Sequence, residues 1–574
     1  MNIMKRYHKI ISSVVALSLS ASMLTASALS ASALDNWSTI RTNITQVMLA
    51  PGSTAAELNF CWYSLENGVP SVQMVEKGQS FEGAEIFSGT SEKAYKDIDL
   101  GTQYYSNKVT AKNLKNGTNY QYRYRVDDGE WSEPEDYRNV DATDGFKFIA
   151  VGDPQIGIGV GGSEADTQRW VNTLNLATAK AGDAAFIYSM GDQIDGNLEF
   201  DQYAGFMYPQ TLRNYSIATT AGNHDCDVPN MQWHFNNPNV TDYGVTSATG
   251  DYYFSYGDTL FINLNSNAVL KSSKSSAVIA KEHRKCIEEA IATNPYAKWR
   301  VVSFHQDIYG YPDHYTDPEV TECREQLYPI LDDYDIDIVL TGHGHNYTRS
   351  FQMYNNEYVS NSEEYKSNDV TVNNPDGTVY FELSTAASKN YENNKAGYDE
   401  HIAKSFAVNG VQSYSVVSVT DGKISVETYR TDTNERYDSY TITKTDSAKL
   451  EKSIAAGEKI IASGEYTEAQ LADLNTAVEE GKALTPADKG TMYNAAVKID
   501  NAILALRPLV YGDVNDDGEV AINDATYVRM YLAGDIELST AQLARADANN
   551  DGKVDVEDVT RIQMYLVQLI DKLG

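Results

Sequence analysis

Five short apolar runs, each ending at once in a metal-ligand type of side chain, constrain this 574-residue chain more than any other feature. Residues 146–151 feed Gly152-Asp153-Pro154-Gln155, and 184–190 feed Gly191-Asp192-Gln193-Ile194-Asp195. Residues 216–221 feed Gly222-Asn223-His224-Asp225, 299–304 feed His305, and 336–340 feed Thr341-Gly342-His343-Gly344-His345. Helical patterns near 163–181, 199–213, 278–293 and 319–333 intervene. Strands alternating with helices predict an α/β domain over 146–443. In such sheets ligands gather at the carboxyl ends of strands, where these side chains fall. Gly342 and Gly344 permit the bend that turns two imidazoles toward one point. Two neutral imidazoles suit zinc, iron or manganese better than magnesium or calcium.

The ordered blocks GD, GD, GNHD, H and GHxH resemble the calcineurin-like metallophosphoesterases, and the tail His345-Asn346-Tyr347-Thr348-Arg349-Ser350 is most similar to the purple acid phosphatase branch. The resemblance implies a helix-flanked β-sandwich holding two iron, zinc or manganese ions. It assigns Asp153 and His345 to the first ion, Asn223, His305 and His343 to the second, and Asp192 to both. It implies hydrolysis of phosphomonoesters by attack of a metal-bound hydroxide. His224 serves the leaving oxygen, and Asp225 orients its ring. Two departures stand out. Many relatives have Asp-x-His in the first block, where this chain has Gln155; purple acid phosphatases have Asp-x-Gly there and a ligand tyrosine where this chain has Asp195. Gln155 or Asp195 fills the vacancy, or the first position is weak. A phosphodiesterase or nucleotidase on the same site is the rival activity. A non-catalytic scaffold subunit with an impaired site is the rival of another class. His283, His314 and His401 match no block and are assigned to the surface or to local structure, while His234 and Arg349 are only marginal candidates for substrate contact.

Upstream, alternating segments separated by Pro51-Gly52, Asn67-Gly68 and Asn116-Gly117 predict a β-sandwich over 36–143. Tyr120-Gln121-Tyr122 after Leu114-Lys115-Asn116-Gly117 resembles the tyrosine corner of fibronectin type III-like domains and the N-terminal domain of purple acid phosphatases. Residues 1–34 read as a signal peptide, with Lys5, Arg6 and Lys9 before a serine-sprinkled apolar stretch and a cleavage site at Ala31-Ser32-Ala33, with Ala26-Ser27-Ala28 as the alternative. No segment reads as a membrane span. The expected location is secreted, at a cell surface or cellulosome. A net charge of −34 argues against non-specific nucleic-acid binding. Cys286 and Cys323 lie on predicted helices; pairing and burial as small hydrophobes both remain open. The polar stretch 357–377 reads as a surface loop near the cleft, of the kind that sets substrate choice.

From 444 to 508 the composition turns to Ala, Glu, Lys and Leu, and predicts three amphipathic helices, with Thr467 capping the second and Pro486 opening the third. They resemble the FIVAR modules of secreted carbohydrate-associated enzymes, which implies a spacer or a weak glycan contact. In 509–574, Asp513-Val514-Asn515-Asp516-Asp517-Gly518 recurs as Asp547-Ala548-Asn549-Asn550-Asp551-Gly552. Oxygens at loop positions 1, 3, 5 and 12 (Asp513, Asn515, Asp517 and Asp524; Asp547, Asn549, Asp551 and Asp558) suit two calcium ions. A helix follows each loop and none is expected before it. The pattern resembles type I dockerins, which implies a cohesin partner, with Val528, Arg529, Arg561 and Ile562 as its contacts.

Overall fold

The computed structural model describes residues 36–96, 101–196, 200–310, 312–390, 400–406, 410–463, 466, 468, 470–485, 491–506, 510–515, 520–538 and 540–574. The signal segment 1–34, Thr467, Pro486 and Asp517 lie outside the described residues. Two compact units divide the chain, at 445/446.

The first unit begins with two four-stranded sheets. One orders Met48–Pro51, Leu58–Ser64, Gln103–Ala111 and Thr90–Lys96; the other orders Ile86–Ser88, Pro70–Glu76, Asn119–Val126 and Glu135–Arg138. Their inner faces share one core, with Phe60, Trp62, Val72 and Tyr122 among its members. The Lys115 amide donates to the Tyr120 hydroxyl at 2.7 Å, closing the corner before the late strand. The Tyr122 hydroxyl reaches out of this sandwich to the Arg213 carbonyl at 2.8 Å, and the Ser106 hydroxyl to the Trp233 carbonyl at 2.7 Å.

At that seam His234 is buried between the rings of Tyr63 and Tyr203, centroids 4.3 and 4.2 Å away. It is therefore no substrate contact. Burial pushes its pKa down to about 3. The folded protein keeps this ring neutral while an unfolded chain protonates it below about 6.5. Stability from this residue is thus complete above pH 6.5 and falls by up to about 1.4 kcal/mol per pH unit on acidification toward 3. Thermal melts at pH 8, 6 and 4.5 should show a steeper acid loss for the wild type than for His234→Phe. Equal slopes would refute the assignment.

Two mixed sheets follow. The seven-stranded one orders Ser216–Thr219, Ala184–Ser189, Phe146–Val151, Ser413–Thr420, Lys423–Arg430, Arg436–Thr443 and Val370–Asn373. The other orders Tyr252–Tyr256, Thr259–Asn263, Trp299–Ser303, Ile338–Thr341, Thr378–Glu382, Tyr347–Tyr354 and Glu357–Tyr358, with Ile402–Phe406 paired on Tyr347–Tyr354. Aromatic side chains fill the space between them: Phe148 stacks on Phe186 at 5.2 Å and meets Phe261 edge-on at 5.2 Å. The helix Gly162–Ala181 covers the outer face of the first sheet through Trp170, Leu174 and Ala177. Helices Ser276–Thr293 and Pro318–Asp333 pack on each other, and the former packs against the second sheet. The helix expected over 199–213 is split into Phe200–Met207 and Thr211–Asn214, flanking Pro209, whose missing N–H cannot continue the ladder.

The stretch 357–377 is not a cleft loop. It carries the strand Val370–Asn373, which pairs in parallel with Arg436–Thr443 at a sheet edge. It joins Thr378–Glu382 at Thr378, whereas Glu382, at the other end, pairs with Thr341 just before Gly342. The insertion thus lies at the strand end remote from the histidines. All four cysteines are buried and free, so burial is the outcome of the two readings for Cys286 and Cys323.

In the second unit, helices Asp446–Ser463, Ala472–Lys482 and Thr491–Ala505 share a core built on Leu450, Leu474, Val478, Ala496 and Ile499. Helices Ile522–Ala533 and Val556–Leu566 then pack on each other. Thr540–Ala546, a helix not expected, runs directly into Asp547. Among the described residues no helix is long and apolar enough to cross a membrane.

Candidate metal centre

Three neighbouring strands of the first sheet (Phe146–Val151, Ala184–Ser189, Ser216–Thr219) run parallel, as do Trp299–Ser303 and Ile338–Thr341 of the second. Their carboxyl ends therefore deliver Asp153, Asp192, Asn223, His305, His343 and His345 to one edge from both sheets. Asp153, Asp192 and His305 each offer a ligand atom, all within 4.8 Å of one another and all buried. The Asn223 side-chain oxygen lies 3.0 Å from both His305 Nε2 and His343 Nδ1. His345 Nε2 lies 3.7 Å from Asp153 Oδ1, and His305 Nε2 lies 3.3 Å from Asp192 Oδ2.

The backbone is bent to achieve this. Asp153, Asp192, His343 and His345 have φ of 25, 46, 73 and 55°, a region non-glycine residues seldom enter. The bend in GHGH is therefore taken by the histidines rather than by their glycines, contrary to expectation. Gly342 is needed for closeness: a Cβ there would collide with the Asp153 carboxylate, which accepts the His343 amide at 3.0 Å.

Second contacts aim the rings. His305 Nδ1 donates to the Met190 carbonyl at 2.9 Å, and His345 Nδ1 to the Lys389 carbonyl at 2.7 Å. That leaves each Nε2 directed inward, the arrangement metal-ligating histidines use. Burial pushes His345 down to about 4, and burial together with His305 and His314 holds His343 well below its usual value. Both are thus neutral, as ligands must be. Burial opposes charge on His305 as well, but Asp192 and then Asp153 raise it to about 10. Burial drives Asp153 well above the carboxylate range against the pull of His305. Burial also pushes Asp192 up, yet His305 and the His224 amide overcome it and hold Asp192 low. Among the described residues of this dense, strained arrangement, the buried atoms without a hydrogen-bond partner include His343 Nε2, Gln155 Oε1 and Asp225 Oδ1. Such orphans are costly unless a ligand meets them. The donor set therefore fits metal binding.

His224 is half-exposed, its ring held differently from expectation. Nδ1 donates to the Asp195 carbonyl at 2.6 Å and lies 3.6 Å from the Asp195 carboxylate. Asp225 does not touch the ring; it accepts from the amides of Gly222 at 2.9 Å and Gln193 at 3.4 Å and so braces the loop. Burial and the Asp192 charge push Asp225 up to about 7. His314, left out of the site on sequence, places its ring 4.9 Å from that of His343; no spacing rule ties it to the other blocks. His283 is buried on Asp251 at 2.7 Å, and His401 is buried with its ring near Tyr309. Arg349 is buried on Asp438 at 2.8 Å, away from any substrate.

This geometry agrees with the comparisons. Residues 146–347 match the family described as calcineurin-like phosphoesterase. The central domain is a calcineurin-like phosphoesterase domain. Before this phosphoesterase domain, residues 44–139 match the purple acid phosphatase N-terminal domain; after it, 511–567 match the dockerin type I domain. A purple acid phosphatase from yellow lupin (Lupinus luteus) seeds has the same fold, with TM-score 0.55 and 16% identity over 69% of this chain and 74% of that one. Two uncharacterized Mycobacterium tuberculosis proteins, one from each of two strains, are 23% identical over 336 residues; the match spans 52% of this chain and 61% of their length.

In the dockerin segment, Asp524 and Asp558 are buried and grip their own loops. Asp524 accepts from the Val514 and Asn515 amides, and Asp558 from the Asn549 and Asp555 amides. Asp547 accepts from the Asp551 and Gly552 amides, and Asn549 Nδ2 lies 3.3 Å from Asp551 Oδ2. Asp513 is buried at the head of the first loop beside half-exposed Asn515. Among the described residues no three carboxylates of the second loop converge as closely as the central trio. Val528 and Ile562 are fully buried in the core between the two helices, so they cannot be partner contacts. Arg529 is exposed and Arg561 half-buried. Exposed apolar side chains on the two helices instead include Ile522, Tyr527, Met530, Leu532, Val556 and Tyr565.

Proposed function

We propose that this protein is an exported phosphoesterase that hydrolyses phosphomonoesters at a two-metal centre and docks to a cohesin-bearing scaffold through its calcium-dependent C-terminal module. The observation that carries the reading is the convergence of Asp153, Asp192 and His305 at strand ends inside the family-matched segment. Asp153 and His345 would hold one ion, Asn223, His305 and His343 the other, with Asp192 serving both. Such ions neutralise phosphate charge, lower the pKa of water and stabilise a leaving oxygen.

The protein's own part is orientation. Neutral His343 and His345 keep their lone pairs available, and the carbonyls of Met190 and Lys389 fix the ring directions of His305 and His345. The Asp195 carbonyl accepts the Nδ1 proton of His224, so in the doubly protonated ring the proton on Nε2 is the one handed to the leaving oxygen, and the ring is left neutral with its proton on Nδ1. The nucleophile is water rather than a side chain. With Asp195 facing His224, no phenolate stands in its place, so an iron-loaded sample should lack a purple colour. The sandwich at 36–143 frames the cleft in a fibronectin III-like manner, and the three helices act as a spacer. In the second loop the side-chain grip of Asp547, Asn549 and Asp558 on loop amides fits calcium, whose positive charge the clustered oxygens favour.

The test is turnover of an aryl phosphomonoester beside the matching diester, with zinc, manganese or iron restored after chelation. We expect chelator-sensitive hydrolysis that favours the monoester. Diester preference would select the phosphodiesterase reading, and no turnover with any metal would select the scaffold subunit. In the same assay His224→Ala should lower kcat by about 10²–10⁴-fold. Asp195→Asn keeps the main-chain carbonyl that accepts from His224 and removes only the carboxylate charge 3.6 Å away, so it should cost about 10-fold.

A further inference from the structure

The two halves of the centre are not alike, and Gln155 makes the difference. Its backbone amide donates to the Asp192 main-chain carbonyl at 2.8 Å, which ties the turn carrying Asp153 to the one carrying Asp192. Asp153 and Gln155 both take left-handed backbone angles, φ 25 and 33°. Two such residues in one turn are a strain that a packing role alone does not require.

The side chain is 2% exposed. Its Nε2 donates to the Asp195 carboxylate at 3.3 Å. A carboxylate accepts and never donates when ionised, so the amide's NH₂ end is pinned there and its oxygen is turned to the other side. That oxygen is buried and meets no donor. A buried amide oxygen left unpaired costs about 1–3 kcal/mol, so a folded protein retains few of them without a reason. Asp195 is thereby held by Gln155 and turned to His224.

We propose that Gln155 gives the Asp153–His345 half of the centre a neutral amide-oxygen ligand, making that half oxygen-rich and selective for manganese(II), while the Asn223–His305–His343 half takes zinc(II). With Asp192 shared, the first half then offers three oxygens and one imidazole, and the second two oxygens and two imidazoles. Carboxylate and carbonyl oxygens suit manganese, and imidazole suits zinc. The inference rests on the two-metal reading above.

The experiment strips full-length protein with chelator, dialyses it against zinc(II) and about a thousandfold excess of manganese(II), which offsets the intrinsic preference of any such site for zinc, and measures bound metals together with the nitrogen couplings of bound manganese by pulsed electron paramagnetic resonance. The wild type should hold one manganese and one zinc per chain, with a single histidine nitrogen coupled to manganese. Gln155→Ala should lose manganese affinity by about 10-fold or more while keeping its zinc. Gln155→His should exchange manganese for a second zinc, and Gln155→Glu, which keeps an oxygen, should retain manganese; these two variants decide the matter if the alanine variant misfolds. Unchanged manganese affinity in Gln155→Ala, or two zinc ions in the wild type, overturns the inference and leaves the two-metal reading standing. A wild type that binds neither metal overturns both.

Discussion

Replacing Asp192 by Asn should reduce phosphomonoester hydrolysis by about 10³-fold or more and lower metal content below that of the wild type. Removing one electrostatic stabiliser from an active site already costs about 10²–10³, and in the proposed centre Asp192 would serve both ions. It lies 3.3 Å from His305 Nε2 and accepts the His224 amide at 2.9 Å, so its charge also fixes the loop that carries Asn223. The asparagine is nearly isosteric and can still accept that amide, so the fold should survive; an unchanged melting temperature verifies this. Near wild-type turnover with full metal content would mean that Asp192 is not shared, and the proposed centre would have to be redrawn.

Removing calcium should melt the C-terminal module while leaving the phosphoesterase domain folded. The module's core is small, built on Val514, Ala525, Val528, Ala546, Ala548, Val559, Ile562 and Leu573. Cores of that size rarely support a fold unaided, and bound metal then supplies the difference. At a free concentration about a hundred times its dissociation constant, each ion adds about 2.7 kcal/mol. Calorimetry of the whole protein with and without a calcium chelator should show one transition move down by many degrees and the phosphoesterase transition stay in place. Binding to a cohesin should vanish in the same titration. A module that melts identically in both conditions would exclude the calcium role of Asp547, Asn549, Asp551 and Asp558.

What was legible in the sequence follows from what each signal encodes. Strand ends carrying Asp153, Asp192, Asn223, His305, His343 and His345 are local patterns, so the α/β reading and the gathering of these residues at one edge could be read directly. Contacts set by ring direction could not. The Asp225 role failed because adjacency in sequence does not place a carboxylate at a ring; Asp195, one strand away, does. His314 reaches His343 from a separate turn, which no periodicity announces. Val528 and Ile562 were misjudged because a helix of a two-helix module has one buried stripe, and composition does not say which stripe that is. The helix Thr540–Ala546 was missed because its seven residues are too few for a period to register.

The strand Val370–Asn373 extends its sheet from the side remote from the ligands. Its sequence is therefore released from the geometric demands that fix the turns around Asp153 and His343. Tyr365 and Ser367 are tied to Arg349, and Val370 to the core, so the exposed residues 361–364 are the place to attach a peptide tag or a fluorophore that would report on the protein without entering its chemistry.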